Sequence, residues 1–180
     1  MQPGETVMDA ESIARTVRRL AHEIVERAGG TERLALVGVR RGGVPIAERV
    51  ARAIEEAEKR VVPVGSVEIA LYRDDAATAL PDPKIGPSRI DFDVNAREVV
   101  LIDDVMQTGR TIRAAIDCLL DYGRPRRVWL AVLLDRGGRE LPIAPDFVGR
   151  VVQVPDGARL EVKLDDVGFE RAICVRSATT

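Results

Sequence analysis

The chain has 180 residues, 46% of them hydrophobic and 31% charged, with a formal net charge of −2. That balance excludes a disordered chain and is enough for one substantial buried core. It also excludes a globally basic nucleic-acid binder, and 3% aromatic residues are too few for base-stacking platforms.

From the N-terminus, Met1 to Ser12 is polar and acidic, without the apolar segment of a secretory leader. Asp9 is placed to cap a helix whose apolar positions Ile13, Val17, Leu20 and Ile24 recur at helical spacing. Gly29-Gly30 supplies its stop. Leu34 to Val39 predicts a buried strand. The turn Arg40-Arg41-Gly42-Gly43 leads into a second helix, with Pro45 in its first turn and Ile46, Val50 and Ile54 facing inward. Val61 to Val64 and Ser66 to Tyr72 predict further strands.

The stretch from Arg73 to Asp93 has little periodicity and carries Pro81, Pro83, Gly86 and Pro87. It is too long for an ordinary connector, which marks it as a functional or disordered loop. Val99 to Ile102 predicts another buried strand ending in Asp103-Asp104. A loop from Val105 to Gly109 then opens a helix from about Arg110 to Tyr122, with Ile112, Ala115, Ile116, Leu119 and Leu120 as its apolar stripe and Gly123 closing it. Val128 to Leu134, the longest unbroken apolar stretch, predicts a third core strand and is far too short to span a membrane. The remainder, Asp146 to Val175, predicts short strands around turns at Pro155-Asp156-Gly157 and Asp165-Asp166. Cys118 and Cys174 are far apart without CxxC spacing, so no disulfide framework or zinc site is expected and a reducing, cytoplasmic setting fits. Strand–helix alternation implies an α/β protein with right-handed βαβ units and a parallel sheet.

Chemistry concentrates in the run Val99-Val100-Leu101-Ile102-Asp103-Asp104-Val105-Met106-Gln107-Thr108-Gly109-Arg110-Thr111. A buried strand delivers two carboxylates to the carboxyl edge of the sheet, where ligands of open α/β sheets bind. The loop and helix N-terminus after it offer free N–H groups to a phosphate, Thr108 and Thr111 add hydroxyls, and Gly109 admits close backbone approach. Carboxylates next to a phosphate site make sense where the ligand also presents hydroxyls, as a ribose 5-phosphate does.

This run resembles the phosphoribosyl pyrophosphate (PRPP) motif of type I phosphoribosyltransferases. Leu20-Ala21-His22-Glu23-Ile24, Leu71-Tyr72-Arg73-Asp74-Asp75, Tyr122-Gly123-Arg124-Pro125 and the segment from Leu134 to Ile143 extend the resemblance to the pyrimidine operon attenuator/uracil phosphoribosyltransferase family. The resemblance implies a type I phosphoribosyltransferase fold in a single domain. Its core would cover residues 9–145, a flexible lid loop 73–93 and a small C-terminal hood 146–175. It implies that Asp103 and Asp104 hold the ribose hydroxyls, that Thr108, Gly109, Arg110 and Thr111 cradle the 5-phosphate, and that Val105, Met106 and Gln107 also bind substrate. Arg40, Arg41 and Gly42 would meet the pyrophosphate, Arg73 would reach it from the lid, and Arg136 and Leu160 would lie near the base.

The implied reaction joins uracil and PRPP into UMP and pyrophosphate, with Mg²⁺ held mainly by PRPP, in a homodimer or higher homo-oligomer. A purine base as acceptor is the rival of the same class. The resemblance also implies binding of pyrimidine operon leader mRNA through Arg18, Arg19, His22, Arg139 and Arg150. Residues 124–150 hold six arginines against Asp135, Glu140 and Asp146, a local excess of positive charge. Against this, Gly138 and Ala144 stand where RNA-binding relatives usually carry His and Arg, and Gln153-Val154-Pro155 replaces a polar stretch, so several donors are missing; an RNA-binding regulator with vestigial catalysis is the rival of a different class.

Overall fold

Asp9 closes a short strand, β1 (Thr6–Asp9), and its carboxylate accepts the Ser12 N–H at 2.8 Å, capping helix α1 (Ala10–Ala28). At the other end Gly29 adopts the left-handed conformation at φ 68°, and the N–H groups of Gly29 and Gly30 return to the carbonyls of Glu26 and Val25. The structure, a computed structural model, describes residues 4–70, 72, 87–164 and 170–176. The turn expected at Asp165-Asp166 and most of the expected lid loop, Arg73 included, lie outside them.

Along the chain follow β2 (Leu34–Val39), α2 (Gly43–Glu58), β3 (Val64–Val67), β4 (Glu98–Met106), α3 (Arg110–Leu120), β5 (Arg127–Asp135), β6 (Phe147–Val151), β7 (Ala158–Leu164) and β8 (Glu170–Arg176). Five of the strands form one parallel sheet in the order β3-β2-β4-β5-β6, and β1, β8 and β7 form a separate antiparallel sheet. Alternation along the central strands divides the core into two layers. Leu34, Leu36, Val100, Ile102, Ala131 and Leu133 face α1, α2 and the small sheet, while Ala35, Val37, Val99, Leu101, Leu130 and Val132 face α3. No helix among the described residues is long and apolar enough to cross a membrane.

Several elements depart from their sequence expectation. The two strands expected over 61–64 and 66–72 are one, β3. It pairs with β2 from Leu36↔Val64 to Val39↔Val67, and β2 then turns away, leaving the following residues without a ladder. Strand β4 runs past Ile102 to Met106 because β5 continues beside it, with Val105 opposite Leu134 and Met106 opposite Asp135. Both acidic residues therefore sit inside the strand rather than at its end. Leu120, assigned to the buried stripe of α3, is half exposed one position round from the fully buried Leu119. Strand β6 joins the central sheet, so the sheet of the hood begins at β7 and recruits β1 from the N-terminus.

The start of α2 presses directly on β4. A Cβ on Gly43 would lie 2.0 Å from the carbonyl oxygen of Ile102, so no larger residue fits without moving the helix off the strand. Gly43→Ala is expected to destabilise the fold by about 1–3 kcal/mol through overpacking. Urea denaturation checks this as a lower midpoint at an unchanged slope.

Candidate active site

The strand order fixes where a ligand can bind. After β2 the chain crosses to β3 on one side, whereas after β4 it crosses to β5 on the other, so the two loops separate at the carboxyl edge and open a crevice. The loop from Arg40 to Gly42 and the loop from Gln107 to Gly109 flank that point. The first loop rests on β4: a Cβ on Gly42 would lie 2.3 Å from the Asp104 carboxyl, so that carboxylate occupies the space a side chain would take.

Helix ends around the crevice differ from the one remote from it. Helix α1 carries its own side-chain cap and an acid, Glu11, in its first turn. Helices α2 and α3 start at Gly42 and Gly109 with no side-chain cap and no acid in the first turn. The Arg110 N–H donates to Thr108 Oγ1 at 3.3 Å, but otherwise these N-termini present their dipoles and N–H groups to an anion. Gly109 holds φ 92°, a conformation that disfavours any side chain, and it packs against Leu141.

The crevice deepens into a cavity of about 430 Å³ lined by Asp103, by the continuous segment Val105 to Ile112, and by Arg136, Glu140, Arg159 and Leu160. The structure so gathers the expected sugar-binding acid, the whole expected phosphate loop and both residues expected near the base. Arg136 is fixed by its Nη2 donating to the Ala158 carbonyl at 3.2 Å, which ties the end of β5 to the hood. The lining also contains Glu140 and Arg159, which sequence reasoning passed over. Glu140 pairs with Arg110 at 2.7 Å across the mouth, and Arg159 precedes Leu160 on β7 and pairs with Glu161 at 2.6 Å. The signal for Glu140 was its place in the segment from Leu134 to Ile143. Arg159 carried none, because only the fold of the hood brings β7 to the cavity.

Asp104 and the 40–42 loop stand beside this lining rather than in it. Successive strand residues point to opposite faces, so Asp103 turns to the α3 side and Asp104 to the α2 side. Arg40 is partly buried, and its Nε has no hydrogen-bond partner among the described residues, a donor left for an incoming acceptor. The Arg40–Arg41 peptide bond is cis.

Burial pushes the Asp103 carboxyl well above the usual carboxylate range, helped by the adjacent Asp104 charge. Its Oδ1 accepts the Asp104 N–H at 2.9 Å, which opposes the rise. Asp135, at the end of β5, shows the reverse outcome. Burial raises it, but the Arg139 guanidinium and the Gly137 N–H outweigh that and hold it below the ordinary value.

Of the five residues expected to meet RNA, Arg18 and His22 are exposed on α1. Arg19 donates to the Val148 and Gly149 carbonyls at 3.1 and 2.7 Å, Arg150 to the Val7 carbonyl at 2.6 Å, and Arg139 to three acceptors around the β5–β6 loop. Arg18 instead lines a groove between α1 and α2 together with Arg49, Arg52 and Glu56.

Comparison with known proteins agrees with this geometry. The phosphoribosyl transferase domain family matches residues 4–163. Among solved structures, the hypoxanthine-guanine phosphoribosyltransferase of Bacillus anthracis superimposes with a TM-score of 0.70 at 19% identity, covering 96% of this chain and 99% of that one. The hypoxanthine phosphoribosyltransferase of Trypanosoma cruzi gives 0.68 at 18% identity, over 98% of both chains. The architecture is that of the type I phosphoribosyltransferases. In sequence, the bifunctional protein PyrR of Roseiflexus sp. strain RS-1 is 50% identical over 176 residues, 97% of this chain and 96% of that protein. The bifunctional protein PyrR of Thermus aquaticus is 51% identical over 164 residues, 91% of each. The chain belongs to the PyrR family of phosphoribosyltransferases.

The Asp103 shift sets a pH dependence. The folded chain keeps this proton to higher pH than the unfolded chain, whose group titrates near 3.8, so the group's contribution to stability falls as pH rises above 3.8. Asp103→Asn stays neutral throughout. It is expected to be more stable than wild type near neutral pH, with the gap closing toward about pH 4. Urea midpoints for the two proteins across that range test the sign.

Proposed function

We propose that this cavity transfers a ribose 5-phosphate unit from PRPP to uracil, forming UMP and releasing pyrophosphate. The observation that carries the reading is the single cavity shared by a strand-borne carboxylate and an amide-rich loop with an uncapped helix behind it. A ligand needs sugar hydroxyls at one end and a phosphate at the other to satisfy both. The 5-phosphate lies in the Val105 to Thr111 segment, held by backbone N–H groups and the Thr108 and Thr111 hydroxyls. The carboxylates accept the ribose hydroxyls. The departing pyrophosphate meets the α2 N-terminus and Arg40. Uracil rests toward Arg136 and Leu160, where an apolar wall and backbone groups suffice for a planar ring.

The leaving group is already activated, so no protein nucleophile is needed. The bond from the sugar carbon to the ring nitrogen of uracil forms as the bond to pyrophosphate breaks. The chain's contribution is orientation together with electrostatic stabilisation: carboxylate charge under a cationic sugar, helix dipoles and arginine beside the departing anion. The donor set suits a magnesium ion that arrives on the substrate. Among the described residues no group of three or more His, Cys, Asp or Glu converges to cage a metal, whereas one rim carboxylate, Asp104, remains accessible. Bound there, the ion would neutralise pyrophosphate charge.

Uracil, rather than a purine, follows from kinship with the PyrR proteins at about half identity over nearly the full chain. The likeness to purine-base enzymes stays under 20% identity and speaks for architecture alone. Incubation with PRPP and uracil, hypoxanthine or guanine in parallel is expected to release pyrophosphate with uracil only. Asp104→Asn is expected to lower kcat/KM roughly 10- to 100-fold, the worth of a hydrogen bond to a charged group. Turnover equal to wild type would remove the carboxylate from the mechanism.

A second activity, binding of leader RNA, is supported by the α1–α2 groove. Arg18, Arg49 and Arg52 share it, a local positive field on an otherwise acidic chain. Filter binding of the pyrimidine operon leader at several salt concentrations tests it. Arg18→Ala is expected to weaken binding and to reduce the salt slope by roughly one unit. A slope unaffected by the change would place the RNA elsewhere.

A further inference from the structure

The carbonyl groups of the phosphate loop are held by the neighbouring loop rather than by the loop itself. Met106 O accepts the Arg136 N–H at 3.1 Å, and Thr108 O accepts the N–H groups of Glu140 and Leu141, both at 3.0 Å. Between them, Gln107 O accepts from Arg139 Nη1 at 2.9 Å. Three consecutive carbonyls thus point into the β5–β6 loop. In a trans peptide the C=O of one residue and the N–H of the next lie on opposite sides. The N–H groups of Gln107, Thr108 and Gly109 accordingly point away from that loop.

Two of these carbonyls are held by backbone groups, but the middle one depends on a single side chain. Arg139 is itself fixed in three directions. Besides Gln107 O, its Nε donates to Ile143 O at 3.1 Å and its Nη2 pairs with Asp135 Oδ2 at 2.6 Å. The pair is mostly buried, with 25% and 15% of the side chains exposed, and Asp135 is braced in turn by the Gly137 N–H on Oδ1 at 2.9 Å. A guanidinium fork can meet three acceptors in one plane; an ammonium on a flexible stem cannot hold the same set.

We propose that Arg139 is a positioning residue of the transfer reaction: by gripping the Gln107 carbonyl it aligns the phosphate loop so that its N–H groups meet the 5-phosphate. The inference rests on the phosphoribosyl reading of the cavity and adds a residue to it. It also gives a different occupation to an arginine expected from sequence to meet RNA. Phosphate recognition, rather than sugar or base recognition, is what Arg139 supports.

The test compares UMP with uridine, which differ by the 5′-phosphate alone, by calorimetric titration of wild type, Arg139→Lys and Asp135→Asn. Urea midpoints confirm that each variant is folded. Wild type is expected to bind UMP far more tightly than uridine. Arg139→Lys is expected to lose about tenfold of that preference through weaker UMP binding, with uridine affinity held, as the loss of a charge-assisted hydrogen bond implies. Asp135→Asn is expected to lose preference in the same direction and by less. A general loosening of the site would weaken both ligands together and would overturn the proposal. So would an unchanged ratio in Arg139→Lys, including the case in which that variant instead loses leader RNA in filter binding. Failure of wild type to prefer UMP would remove the reading of the cavity itself, and the proposal with it.

Discussion

The site depends on one close contact, that between Gly42 and the Asp104 carboxylate. Strands β2 and β4 are neighbours, and the helices that follow them must both start at the same edge of the sheet. Side chains at that junction would lift the start of α2 off β4, because Gly42 meets the Asp104 carboxylate and Gly43 the Ile102 carbonyl. With glycine at 42 and 43, α2 settles onto the Ile102 carbonyl and the Asp104 carboxylate fills the remaining space. Two helix N-termini and two carboxylates are thereby brought to one edge by packing, before any ligand arrives.

That proximity creates an electrostatic conflict which the fold resolves by separation. Positive helix ends attract phosphates, while carboxylates repel them. The strand alternation sends Asp103 and Asp104 to opposite faces, so neither the 40–42 loop nor the 107–109 loop confronts both charges. Asp103 is buried, and that burial raises its carboxyl well above the usual carboxylate range. Asp104 remains more exposed, next to the loop expected to receive pyrophosphate, where a cation carried by the substrate can offset it.

The sequence revealed most of what local patterns control. Asp9 and Gly29 at the ends of α1, the uniform apolar run of β2 and the inward stripe of α2 all stand where periodicity and capping place them. That Val105 to Thr111 line one cavity was legible because these residues are consecutive. Errors arose where the partner decides the outcome. Glu68 to Ala70 continue the apolar-rich run, but the ladder with β2 ends at Val67, and β4 is extended through two aspartates because β5 runs alongside. β1 is too short and polar to announce itself, and forms because β8 offers it an edge. Arg159 joins the cavity from a different sheet, a juxtaposition that no spacing along the chain encodes.

Charge shows the same dependence on context. Only Lys59, Lys84 and Lys163 among the basic residues are lysines; every other one is an arginine. Counting these arginines along the chain suggests a basic face, yet many of their forks close on backbone carbonyls of distant elements. Arg19 reaches β6, Arg113 the Tyr72 carbonyl, Arg136 the hood, and Arg150 β1. Each joins two segments far apart in sequence and satisfies a carbonyl that would otherwise need water. An arginine used this way lends the surface less donor capacity than its charge implies, because its N–H groups already have acceptors. The arginines able to meet a polyanion are therefore those on faces where the fold supplies no carbonyl, which is why the groove of Arg18 and Arg52 carries more weight than the denser cluster near Arg139.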